Sequence, residues 1–96
     1  MSREDVQKII VSYLKRYDPE FVGIFGSYTR NQNNADSDID ILVSFKQTYS
    51  LLKLIKMENE LSDQLGIKED LVTRGSVKNE IIRNSIMNDL QTLYQA

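Results

Sequence analysis

The stretch Phe21-Val22-Gly23-Ile24-Phe25-Gly26-Ser27-Tyr28-Thr29-Arg30-Asn31-Gln32-Asn33-Asn34-Ala35-Asp36-Ser37-Asp38-Ile39-Asp40-Ile41-Leu42-Val43-Ser44-Phe45 decides how the chain folds. Two apolar runs with strand character flank a polar connection. Gly26-Ser27 closes the first run, and Asp38-Ile39-Asp40 opens the second. Carboxylates at i and i+2 of a strand share a face and stand roughly 7 Å apart along the backbone. That spacing suits two side chains gripping one hard cation, or two cations bridged between them. A Gly-Ser pair leaving a strand offers backbone N–H groups and a hydroxyl to phosphate oxygens. Together these residues suit a triphosphate held with its metals.

The second run alternates. Ile39, Ile41, Val43 and Phe45 share one face, and Asp38, Asp40, Leu42 and Ser44 share the other. Asp40 leads into Ile41-Leu42-Val43, so it stands at the mouth of an apolar, central strand. Two adjacent carboxylates on one strand face repel unless a cation or a basic partner lies between them. Asp36 reads as a turn residue.

Outside this stretch the chain alternates helices and strands. Val6, Ile9, Ile10, Tyr13 and Leu14 recur at helical spacing behind Ser2 as a cap, and Pro19 ends that helix. Tyr28 to Gln32 reads as a short helical turn. Thr48 or Ser50 caps a helix expected to bury Leu51, Leu54, Ile55, Met57, Leu61 and Leu65, with Gly66 just past its end. Ile67 to Thr73 reads as a third strand carrying Asp70 on the face of Val72. The strand–helix–strand spacing lets this strand lie beside the second and brings Asp70 toward the pair. Val77, Ile81, Ile82, Ser85 and Ile86 mark a last helix with Ser76 as its cap. The tail Leu90 to Tyr94 fits either a strand or an extension of that helix. The order predicts an α/β (α+β) fold, a small mixed sheet of about three to four strands backed by helices on one face. Its carboxylates face an open cleft on the other.

Length and composition bound the rest. Ninety-six residues are expected to form one domain, 1–96. The net charge of −2 and the lack of a basic block argue against stable nucleic-acid binding and against gripping a long template. Without cysteine or histidine there are no disulfides, no Cys/His zinc sites and no histidine general bases. Acid–base work falls to carboxylates, Lys or Tyr. No apolar run approaches the ~20 residues of a membrane span and no signal peptide opens the chain, so a cytoplasmic location without membrane association is expected.

Gly26-Ser27, ten intervening residues, and Asp38-Ile39-Asp40 within apolar strands resemble the polymerase-beta-like nucleotidyltransferase superfamily. The fit is closest to its minimal members, antitoxins paired with HEPN-type toxins. Asp70 falls where that family places its last catalytic acid, so the resemblance spans nearly the whole chain. Small members commonly read G-S-x-A-R-G, whereas this chain has Thr29 and Asn31 at the fourth and sixth positions. Asparagine is the next most tolerant residue after glycine at positive φ.

The resemblance implies Mg²⁺-dependent transfer of AMP from ATP to a hydroxyl, most simply a tyrosine of a cognate HEPN-type ribonuclease toxin. It assigns Asp38, Asp40 and Asp70 to catalysis and metal binding, with Asp70 as base. Gly26, Ser27 and Arg30 are assigned to the nucleotide; Arg30 serves equally well as a structural ion-pair partner. A hetero-oligomer with the toxin fits this scheme. Two other readings remain: a catalytically degenerate module that neutralises a toxin by docking, and an antibiotic-type transferase acting on a small molecule.

Overall fold

The computed structural model describes residues 3–26 and 39–96. Helix α1 (Arg3–Lys15) is followed by β1 (Pro19–Phe25), β2 (Ile39–Phe45), α2 (Leu51–Leu65) and β3 (Glu69–Thr73). A 3₁₀ turn (Arg74–Ser76), α3 (Glu80–Asp89) and β4 (Gln91–Gln95) complete the order. The described strands form one mixed sheet in the order β3-β2-β1-β4. Strand β1 runs antiparallel to β2 and β4, and β2 runs parallel to β3. The α+β fold expected from the sequence is the one observed, with β2 central.

The alternation in β2 sorts its side chains as predicted. Ile39, Ile41 and Val43 are fully buried against Val6, Ile10, Tyr13 and Leu14 of α1 and Met57, Leu61 and Leu65 of α2. Tyr13 ties the two helices by donating its hydroxyl to the Glu60 carboxylate. At the far end of β2, Phe45, Tyr49 and Tyr17 stack edge-on, and the Tyr49 hydroxyl donates to the Tyr17 carbonyl at 2.8 Å. This aromatic cluster stiffens the sheet end opposite Asp40. The Ser2 cap, the Tyr28–Gln32 turn and Asp36 lie outside the described residues.

Helix α2 begins on Ser50, whose side chain accepts from the Lys53 N–H, and ends on Gly66 at φ 72°. Several expectations for the helices need correction. Leu51 and Ile55 are exposed, because they lie off the stripe that faces the core, which runs through Leu54, Met57, Leu61 and Leu65. The last helix is capped by Asn79, not Ser76: Asn79 accepts from the N–H groups of Ile81 and Ile82. Ile81 and Ile82 are exposed, and Ile86, one turn beyond Ile82, is the buried residue of α3. Nor do all helices back one face. Ile86 packs with Phe21 and Leu42, so α3 partly covers the face that carries Asp40.

The tail forms β4, and Gly23 shows why it docks. A Cβ at Gly23 would lie 2.8 Å from Leu90 Cδ1 and 3.1 Å from the Gln91 carbonyl oxygen, at the register shift between β1 and β4. The close backbone approach expected of a strand glycine is therefore made by the chain's own last strand. Gly23→Val is expected to destabilise the protein by about 1–3 kcal/mol, as overpacking does. Thermal melting should fall by at least about 4 °C, with hydrogen-exchange protection of β4 lost first. An unchanged melting temperature would show that β4 docks more loosely than this geometry states.

Candidate functional site

Three of the predicted site residues lie within the described residues, and the sheet brings them together. Asp40 opens β2 and is the register partner of Phe25 on β1 and of Asp70 on β3. The ladder toward β3 begins one residue earlier, where Ile39 N–H donates to the Lys68 carbonyl at 3.2 Å. Parallel strands in register place like positions about 4.8 Å apart with side chains on a common face. Both aspartates are half-buried, at the end of the sheet where β1 has just finished.

Gly26 is the third member. It follows β1 directly, with φ +80°, and a Cβ there would lie 2.5 Å from Asp40 Oδ2. The glycine is thus required twice: for its left-handed backbone and for the Asp40 carboxylate packed against its α-carbon. Ser27, Arg30 and Asp38 lie outside the described residues. Among the described residues no group of three or more potential metal-ligating side chains occurs.

Asp40 and Asp70 provide a pair of hard oxygen donors on one face of the sheet, beside Gly26, which itself carries no side chain. That donor set fits a divalent cation such as Mg²⁺, which favours carboxylates supplemented by substrate phosphates.

Glu69 was not recognised from the sequence as anything more than Asp70's acidic neighbour. It is fully buried on the opposite face, beneath α2, and its Oε2 has no hydrogen-bond partner. Its backbone N–H and Oε1 face the Ser62 hydroxyl at 3.4 and 3.5 Å, and the neighbouring Leu71 N–H donates to Glu58 Oε2 at 3.4 Å. Burial above all, then the charges of Glu58 and Asp70, push the Glu69 carboxyl up to about 8, with Ser62 opposing. The period-two alternation from Asp70 could have placed Glu69 on the buried face.

A folded-state value above the unfolded one means that the native state holds the proton more tightly. Glu69 therefore stabilises the fold at pH below its ordinary value near 4.5, and this contribution is lost as pH rises toward about 8. The expected slope from this one group is up to about 1.4 kcal/mol per pH unit within that window. Glu69→Gln should flatten it and melt higher than wild type at pH 8. Parallel pH profiles for the two proteins would show that Glu69 is solvated.

The chain belongs to the polymerase beta nucleotidyltransferase family, whose sequence model matches residues 7–96. It is similar to protein adenylyltransferase MntA of Thermococcus cleftensis, with 38% identity over 87 residues, 86% of this chain and 88% of that one. A Methanocaldococcus jannaschii chain that carries the name protein adenylyltransferase provisionally is 49% identical over 76 residues, 79% of this chain and 78% of its own.

Among solved structures, the fold matches a chain of a toxin–antitoxin complex crystallised with AMP-PNP. Its TM-score is 0.85 at 22% identity, covering 94% of this chain and 73% of that one. A complex of tri-AMPylated Shewanella oneidensis HEPN toxin with its MNT antitoxin also matches, at TM-score 0.81 and 20% identity, over 99% and 74%. The protein is a nucleotidyltransferase of the minimal type. No described helix is long and apolar enough to cross a membrane.

Proposed function

We propose that this chain transfers AMP from ATP, with Mg²⁺, to a tyrosine hydroxyl of a cognate HEPN-type toxin in the cytoplasm, and so acts as its antitoxin. The observation that carries this reading is the register pairing of Asp40 with Asp70 beside the positive-φ Gly26. Support for the acceptor comes from the relatives: one is named a protein adenylyltransferase, and one structural neighbour is an antitoxin bound to an AMPylated HEPN toxin.

In this scheme Asp40 and Asp70, with Asp38, hold Mg²⁺. The ion, when bound, neutralises charge that develops on the pyrophosphate leaving group. Gly26 and Ser27 present backbone N–H groups and a hydroxyl to the terminal phosphates, and Arg30 adds a cation. Asp70 takes the proton from the acceptor hydroxyl as its oxygen bonds to the α-phosphorus. The bond from that phosphorus to the bridging oxygen breaks, and pyrophosphate leaves. A hetero-oligomer with the toxin brings the acceptor hydroxyl to the donor site.

Calorimetric titration with ATP tests the first step. Affinity is expected to depend on Mg²⁺ and to fall at least about tenfold in Asp40→Asn. Saturating Mg²⁺–ATP at a hundred times its dissociation constant should stabilise the fold by about 2.7 kcal/mol. Equal binding with and without the metal, or by the variant, would remove the carboxylates from the site.

A further inference from the structure

Strand β3 is an edge of the sheet, with β2 on one side and no strand on the other among the described residues. The Lys68 carbonyl accepts from Ile39 N–H, so the backbone faces β2 at 68 and, by alternation, at Asp70 and Val72. Glu69 and Leu71 therefore present their N–H groups to the outer edge. Side chains of α2 meet them there. Ser62 Oγ accepts from Glu69 N–H, and Glu58 Oε2 accepts from Leu71 N–H, each at 3.4 Å.

Two structural repeats coincide in this contact. Glu58 and Ser62 are one turn apart on α2, about 6 Å along its axis. Glu69 and Leu71 are one strand repeat apart, roughly 6.6 Å. Helix and strand edge thus match, and Asp70 lies between the two anchored amides. The bond to Glu58 goes to a carboxylate, which makes it the stronger of the two. Met57 and Leu61, the chain neighbours of Glu58 and Ser62, are fully buried, so the helix that carries the pair is fixed in the core.

We propose that Glu58 and Ser62 are positioning residues for Asp70: they anchor β3 from its free edge and so set where Asp70 stands beside Asp40. This rests on the proposed role of Asp70 as base. Both residues act from α2, which packs on the face of the sheet opposite the aspartates, so neither touches the reacting atoms. Without them β3 is held through β2 alone, and an edge strand held on one side can shift. A misplacement of about 1 Å costs a reacting group about a hundredfold.

Amide hydrogen exchange and initial transfer rates, both on the full chain, test this together. In Glu58→Ala the Leu71 N–H should exchange at least about tenfold faster than in wild type, while Val22 and Ile24 of β1 keep their protection. Affinity for Mg²⁺–ATP should change less than about twofold, and modification of the proposed HEPN-type partner at saturating ATP should slow by about 10–100-fold. Glu58→Gln keeps the acceptor oxygen and removes the charge, so it should restore slow exchange and bring the rate within about threefold of wild type. In an Asp70→Asn background, Glu58→Ala should lower the rate no further, because both act through one group. Should Glu58→Ala fail to fold, Ser62→Ala carries the same test at the Glu69 N–H.

Faster exchange at Leu71 with an unchanged rate overturns the inference and leaves the pair as a strand-edge cap. Unchanged exchange overturns it too, since the anchor is then absent. So does a Glu58→Gln variant as slow as Glu58→Ala, which would assign the effect to charge. A further loss in the Asp70→Asn background would place the action of Glu58 elsewhere. Failure of the underlying reading looks different: Asp70→Asn itself then keeps the wild-type rate, and this inference falls with it whatever the exchange shows.

Discussion

Asp70→Asn is expected to lower AMP transfer by about 10²–10⁴-fold, the usual contribution of a positioned base. Asparagine has the same shape, and Asp70 is half-buried in a strand already fixed by its parallel ladder to β2. The fold should therefore persist. On the proposed reading Asp40 and Asp38 would still hold the nucleotide's metal, so ATP affinity should change by only a few fold. The loss then appears in the rate, because the variant cannot accept the acceptor's proton. Initial rates of partner modification, followed by mass spectrometry at saturating ATP, measure it. A rate within about fivefold of wild type would remove Asp70 from the chemistry and leave it a strand-edge charge.

Gly26→Ala should reduce transfer by about a hundredfold or more, and a control variant isolates the cause. Gly26 and Gly66 have nearly the same positive φ, 80° and 72°. An added methyl costs each roughly 1–2 kcal/mol of backbone strain. They differ in what that methyl meets: nothing within 4 Å at Gly66, but the Asp40 carboxylate at Gly26. Aspartate has one carbon between backbone and carboxyl, so the carboxylate escapes only by rotating out of its place beside Gly26. Gly66→Ala should melt lower and transfer normally. Gly26→Ala should melt lower by a similar amount and fail to bind Mg²⁺–ATP. Similar activity in both variants would mean that Asp40 does not need its place against Gly26.

Much of this site was readable from the chain because β-structure writes its faces with a period of two. Asp40 and Leu42 fall on one face and Ile39 and Ile41 on the other, and the sheet keeps that division: Leu42 packs with Phe21 and Ile86, and Ile39 and Ile41 pack with α1 and α2. Asp70 could be placed because a helix between two strands allows parallel pairing. Its direct register with Asp40 is a tertiary fact that the spacing permits without requiring.

The tail was ambiguous because Gln91 to Gln95 has no strong alternation. It becomes a strand because β1 offers an open edge and Gly23 leaves room for Leu90. Helical periodicity misled at Leu51, Ile55, Ile81 and Ile82. A stripe shows which residues share a side, not how much of that side the neighbouring elements cover. Glu69 was missed for a related reason. An acidic residue in a strand suggests solvent, although the alternation from Asp70 sets it on the opposite face, where α2 lies over β3 and buries it.

The proposed antitoxin activity is tested most directly by the intact mass of the proposed HEPN-type partner toxin after incubation with this chain, ATP and Mg²⁺. The toxin is expected to gain whole AMP units on tyrosine and to lose its ribonuclease activity. Both effects should require the metal and disappear in Asp40→Asn. A toxin neutralised without any gain in mass, equally well by wild type and Asp40→Asn, would contradict it and make the chain a docking module.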